Sequence, residues 1–112
     1  MSRIIGSFYM KKTEDGNLQG EYTNNEQFTV STENSVLLVA GPEPYLGEYA
    51  TTWREPDKVM HARLIVSAIS AKDTNTYAKY KLVWSDLNNV PIYEGEAILA
   101  EGLLIGHFVS LP

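Results

Sequence analysis

The residues best able to do chemistry in this chain are its two histidines and its paired acids, and their spacing assigns them no reaction. His61 lies in Val59-Met-His-Ala-Arg63 and His107 in Ile105-Gly-His-Phe108, neither with a second ligand at zinc-site spacing. The turn around Asp15, Gly16 and Asn17 lacks the repeated acidic ligands of a calcium loop. Glu94 and Glu96 could share acid and base roles, but strand alternation places both on an outer face, where nothing shields them from water. Serines are plentiful, yet no Gly-x-Ser-x-Gly elbow occurs and none lies beside a His with an orienting carboxylate. The glycines recur inside strand-like segments rather than at strand-to-helix turns, so no phosphate loop or dinucleotide fingerprint forms. With no Cys, thiolate nucleophiles, thiolate metal sites and disulfides are excluded together. The sequence therefore predicts no catalytic residue, no metal and no cofactor, and leans away from an enzyme. A barrel of the cyclase or isomerase kind, acting by enclosing its ligand, is the weaker alternative.

What remains is a row of aromatic side chains with polar tips. Tyr22, Tyr49, Trp53, Tyr80, Trp84 and Tyr93, joined by Thr51, fall on one face of successive strand-like segments. Structural cores favour Leu, Ile and Val, which carry no polar atom to satisfy. Buried Tyr and Trp need partners for their hydroxyl and indole N–H, and aromatic walls with a few polar groups are the usual form of a small-molecule site. These seven residues are the candidate ligand-binding set. The competing reading is a filled barrel whose aromatic tips reach water at its ends.

The elements that would hold this row are marked by a repeat. An apolar residue, Gly and an aromatic or small apolar residue alternate at Ile4, Gly6 and Phe8; Leu18, Gly20 and Tyr22; Tyr45, Gly47 and Tyr49; Tyr93, Gly95 and Ala97; and Leu104, Gly106 and Phe108. Gly packs nothing inside a strand, so its recurrence between large residues on one face signals strong curvature and close backbone approach. A small closed barrel has that requirement, with small and large side chains alternating on its interior. The residues after Gly in the first four copies, Ser7, Glu21, Glu48 and Glu96, are polar, as a solvated outer wall demands.

Taken in order, the chain reads as a single domain over residues 1–112. It is all-β, a closed antiparallel up-and-down β-barrel of about eight strands. Asp15 and Gly16 mark a hairpin turn. Residues 27–32 read as strand, with Phe28 and Val30 alternating against Thr29 and Ser31, and Glu33 to Ser35 as a turn. The segment from Gly41 to Pro44 reads as a crossing near the barrel mouth, because its prolines remove ladder donors. The 59–71 stretch is rich in β-branched residues without a helical polar stripe, so a long strand is preferred over a helix. Residues 71–76 form a turn, followed by strand alternation from Tyr77 and Ala78 to Trp84. Lys79 and Lys81 should then face Glu94 and Glu96 across the outer wall.

Composition sets the outer limits. The 112 residues are 44% hydrophobic, enough for a core in one domain. A net charge of −5 argues against a nucleic-acid partner and against adsorption to anionic membranes. No apolar run is long enough for a membrane helix, and residues 1–8 lack the apolar core of a signal peptide. The expected location is cytoplasmic.

Ile4-Ile-Gly-Ser-Phe-Tyr9 and Asp15-Gly-Asn-Leu-Gln-Gly-Glu-Tyr22 resemble the opening strands of the avidin and streptavidin family. Tyr80-Lys-Leu-Val-Trp84 and Tyr93-Glu-Gly-Glu-Ala97 are similar to strands of the wider calycin group, including small bacterial lipocalin-like proteins. The resemblance covers about half of the chain and implies a calycin barrel with an interior ligand. Met10 stands where the avidin pattern has a biotin-contacting Asn, so biotin binding does not carry over. The resulting expectation is a non-catalytic lipocalin-like barrel that holds a small hydrophobic or aromatic molecule. Its rival is a filled barrel that acts as an interaction module and forms a homo-oligomer through an apolar outer strand, within 59–71 or 103–111.

Overall fold

The structure is a computed structural model that describes residues 3–69 and 79–112. Eight strands follow one another: β1 Ile5–Lys12, β2 Leu18–Asn24, β3 Ser31–Ala40, β4 Gly47–Glu55, β5 Lys58–Ile69, β6 Lys79–Ser85, β7 Pro91–Ala100 and β8 Leu103–Ser110. Each pairs antiparallel with its sequence neighbours, and β1 pairs with β8 to close the barrel. Among the described residues there is no helix long and apolar enough to cross a membrane. The 59–71 stretch is strand as far as Ile69. The predicted turn at 71–76 and the strand start at Tyr77 and Ala78 lie outside the described residues.

The glycine repeat does what curvature requires of it. Gly95 on β7 faces Phe108, and Gly106 on β8 faces Ala97. A Cβ on Gly95 would collide with the carbonyl of His107, and one on Gly106 with the carbonyl of Glu96. The two backbones therefore approach at a distance that no side chain permits. On the outer wall, Lys81 stands directly opposite Glu96, and the Lys79 ammonium donates to Glu96 Oε1 at 3.0 Å. The charged pairs thus sit where alternation puts them.

Three local readings need correction. Residues 27–30 are not strand, with bends at Phe28 and Thr29, and Phe28 is fully exposed, because the chain must turn there from β2 to β3. Glu33 and Ser35 lie within β3 and point inward. The apolar part of that strand is the outward part, with Val36, Leu38 and Val39 exposed and a bulge between Leu37 and Val39. Finally, Gly41 and Pro44 lie between β3 and β4, at the end shared with the β1–β2 and β7–β8 turns and away from the cavity described below.

That end is filled by Tyr45. Its backbone takes the left-handed region (φ 75°), which costs about 1–2 kcal/mol for a residue with a side chain. Three hydrogen bonds hold it there. Its hydroxyl donates to Gly102 O (2.7 Å) and accepts from Lys12 N–H (3.1 Å), while its carbonyl accepts from the Tyr49 hydroxyl (2.8 Å). Above it, Met10, Leu18, Tyr49, Leu64, Leu82 and Leu104 pack the waist of the barrel almost without exposure. The interior that stays open is at the opposite end.

Candidate functional site

At that opposite end the interior opens into a cavity of about 200 Å³. Phe8 of β1, Tyr22 of β2, Trp53 of β4, Trp84 of β6, Tyr93 of β7 and Phe108 of β8 form its walls. Ile4, Asn24, Glu26, Gln27, Glu55 and Pro56 stand at the mouth. The walls brace one another edge to face: Phe8 meets Trp84 with ring centres 5.7 Å apart, Tyr93 meets Phe108 at 5.7 Å, and Trp53 meets Tyr93 at 6.1 Å. Such pairs favour fixed ring positions, so the cavity is shaped before anything enters.

The floor carries an acid. Glu33 is 7% exposed and borders the cavity. It faces Gly20 on one side and Trp53 on the other, so alternation along β3 turns it into the barrel. Its Oε2 accepts two hydrogen bonds, from Thr51 Oγ1 at 2.5 Å and from Trp84 Nε1 at 2.8 Å. Thr51 in turn accepts from Ser35 Oγ at 2.8 Å, so a short relay of hydroxyls ends on the carboxylate. Oε1 has no protein partner among the described residues and is not sealed from the cavity. Burial holds the Glu33 carboxyl above the usual carboxylate range, although the Thr51 and Trp84 donors pull the other way. A basic partner within ion-pair distance is missing among the described residues.

The mouth is also acidic. Trp53 Nε1 donates to Glu55 Oε2 at 3.2 Å, and the Tyr22 hydroxyl donates to the Arg54 carbonyl at 3.3 Å. Burial raises the pKa of the Tyr93 phenol, and the negative charges of Glu55 and Glu26 push it further up. Arg54 reaches this region through its backbone; its side chain is exposed on the outer face, as alternation requires.

Of the seven residues singled out in the sequence, Tyr22, Trp53, Trp84 and Tyr93 share the cavity. Thr51 lies one step beneath, holding Glu33. Tyr49 is sealed in the waist with its hydroxyl bound to Tyr45, and Tyr80 is half-buried outside the cavity lining. Phe8, Phe108 and Glu33 also border the cavity and were not among the seven. The signal for Glu33 was present: stepping back by two from the inward Leu37 gives Ser35 and then Glu33. His61 and His107 are both exposed on the outer wall, on β5 and β8. Comparison with protein-family models, with curated proteins and with solved structures found no match.

Proposed function

We propose that this is a calycin-type barrel that binds one small, mainly apolar, ring-sized molecule at its open end without converting it. The cavity carries this reading: six braced aromatic rings converge on a space with a single oriented polar group at its floor. About 200 Å³ is roughly the space of seven water molecules. It lies below the range typical of drug-sized ligands, so the occupant is a single substituted ring rather than a lipid chain. The non-catalytic part of the reading follows from Glu33, whose hydrogen-bond partners are Thr51 and Trp84 and include no second acid or base.

The two tryptophans provide the test. Both border the cavity, and the chain has no others, so two indole N–H signals report on the site. Titration with benzyl alcohol and anisole should shift both signals saturably in a nitrogen–proton correlation spectrum. If neither probe moves either indole at millimolar concentration, the cavity does not bind ring-sized molecules and the reading falls.

A second reading, self-association through the outer wall, has one observation in its favour. Tyr9, Ile105 and Ile98 stand side by side on β1, β8 and β7, all exposed. An apolar row across three neighbouring strands is a common contact surface. Sedimentation velocity should then show a dimer that Ile105→Lys converts to monomer. A wild-type monomer at high micromolar concentration removes this reading.

A further inference from the structure

Resting on the binding reading above, we propose that the occupant of the cavity is a small organic cation, an amine on a single-ring body, with its ammonium group on the Glu33 carboxylate. The floor supplies the first argument. A buried carboxylate is normally paired with a cation or neutralised by a proton. Glu33 is buried and borders the cavity, two donors are spent on Oε2, and Oε1 has no hydrogen-bond partner among the described residues. An ammonium group brings both the donor and the missing positive charge.

The walls supply the second. Trp53, Trp84 and Tyr93 border the same space as the carboxylate, and aromatic faces attract a desolvated cation through the ring quadrupole. The mouth supplies the third. Glu26 and Glu55 border it, and their field favours entry of a positive charge. An anionic ligand would meet three carboxylates and no inward-pointing cation among the described residues. A neutral ligand with a hydroxyl or N–H could also donate to the carboxylate, but it would leave the buried charge of Glu33 without a compensating cation.

The discriminating experiment compares three probes of one shape by calorimetry at pH 8: benzylamine, benzyl alcohol and benzoate. Benzylamine should bind about tenfold more tightly than benzyl alcohol, with benzoate weakest, because charge pairing and the aromatic faces act on the cation alone. Glu33→Gln keeps the shape and removes the charge. In it, benzylamine should fall to the level of benzyl alcohol, whose own affinity stays within about twofold of wild type. If benzyl alcohol or benzoate equals or exceeds benzylamine in the wild-type protein, the cation proposal is overturned while the binding reading stands. Silence from all three overturns both.

A measurement on the wild-type chain alone guards against a variant that does not fold. Benzylamine affinity should decline as pH falls and Glu33 takes up its proton, while benzyl alcohol affinity does not. The other titratable groups at the cavity are the phenols of Tyr22 on β2 and Tyr93 on β7, Glu55 at the end of β4, and Glu26 in the β2–β3 turn. Arg54 borders the mouth, and β1, β6 and β8 present Phe8, Trp84 and Phe108. The phenols stay neutral throughout, and Glu26 is exposed. Glu26→Gln and Glu55→Gln should therefore leave the pH at which benzylamine affinity declines unshifted. An amine affinity that does not change with pH while Glu33 titrates overturns the proposal.

Discussion

Glu33 is the side chain on which the interior chemistry of this barrel turns, and its placement has a measurable effect on folding. Its carboxyl is raised above the usual carboxylate range, so between that range and its raised value the folded state holds a proton that the unfolded chain has released. Stability therefore falls as pH rises through this window and levels off above the raised value. Urea unfolding at stepped pH should show that fall in the wild type, and the difference curve against Glu33→Gln should isolate it from the exposed acids. Identical slopes in the two proteins would mean that Glu33 titrates as it does in the unfolded chain. The supporting hydroxyl makes a second prediction. Thr51→Val keeps the shape but removes the donor to Glu33 and the acceptor of Ser35 Oγ. It should cost about 1–3 kcal/mol above the pH at which Glu33 ionises, and less below it, where the carboxyl no longer carries a charge to be stabilised. A loss that is the same at both pH values would show that Thr51 does not act through the carboxylate.

At the scale of the strand, two features set how well the barrel closes. A methyl group on Gly95 has nowhere to go except into the His107 carbonyl of β8. Gly95→Ala should therefore destabilise the fold by about 1–3 kcal/mol through overpacking. Gly102→Ala has open space around its Cβ, and its cost should come from the left-handed turn (φ 75°) alone. Thermal unfolding that ranks Gly102→Ala as the more damaging would contradict the crowding account. The strands were readable from the sequence where alternation and the glycine repeat coincide, as in β1, β2, β4, β7 and β8. β3 was misread because its inward face is polar and its outward face apolar: Glu33 and Ser35 look like a turn, while Val36 and Val39 look like core. The inversion belongs to the site, since an acid held under an aromatic cage must break the hydrophobic pattern of the strand that carries it. Phe8 and Phe108 fell on the inner face with the glycine repeat but outside the candidate ligand-binding set. Whether an inward ring packs the waist or lines the mouth depends on its height along the barrel, which strand register and tilt decide.

For the molecule as a whole, the closed ring of strands makes every strand equivalent in kind: each has two paired neighbours and none is an edge. The seam between β1 and β8 runs over seven residue pairs, as the β1–β2 seam does. Beyond that seam, Ser110 N–H donates to the Ile4 carbonyl at 2.9 Å, and Ile4 N–H donates to Ser110 Oγ at 2.9 Å. Residues 4 and 110 are thus neighbours, and a short Gly–Ser linker between the ends of this sequence would not stretch the fold. The β6–β7 turn, with Leu87 and Val90 exposed and its backbone tied mainly within itself, is a suitable place for new ends. A permutant opened between Asn88 and Asn89 should keep the far-ultraviolet dichroism of the parent and unfold in one cooperative step, losing about the stability of the turn bonds that Asp86 makes with Asn88 and Val90. If β7 and β8 instead unfolded separately from the rest, the β1–β8 seam would be weaker than the sequential pairings. The barrel would then behave as a curled sheet with a latch, and the cavity, walled by side chains from both sides of that seam, would open when the latch did.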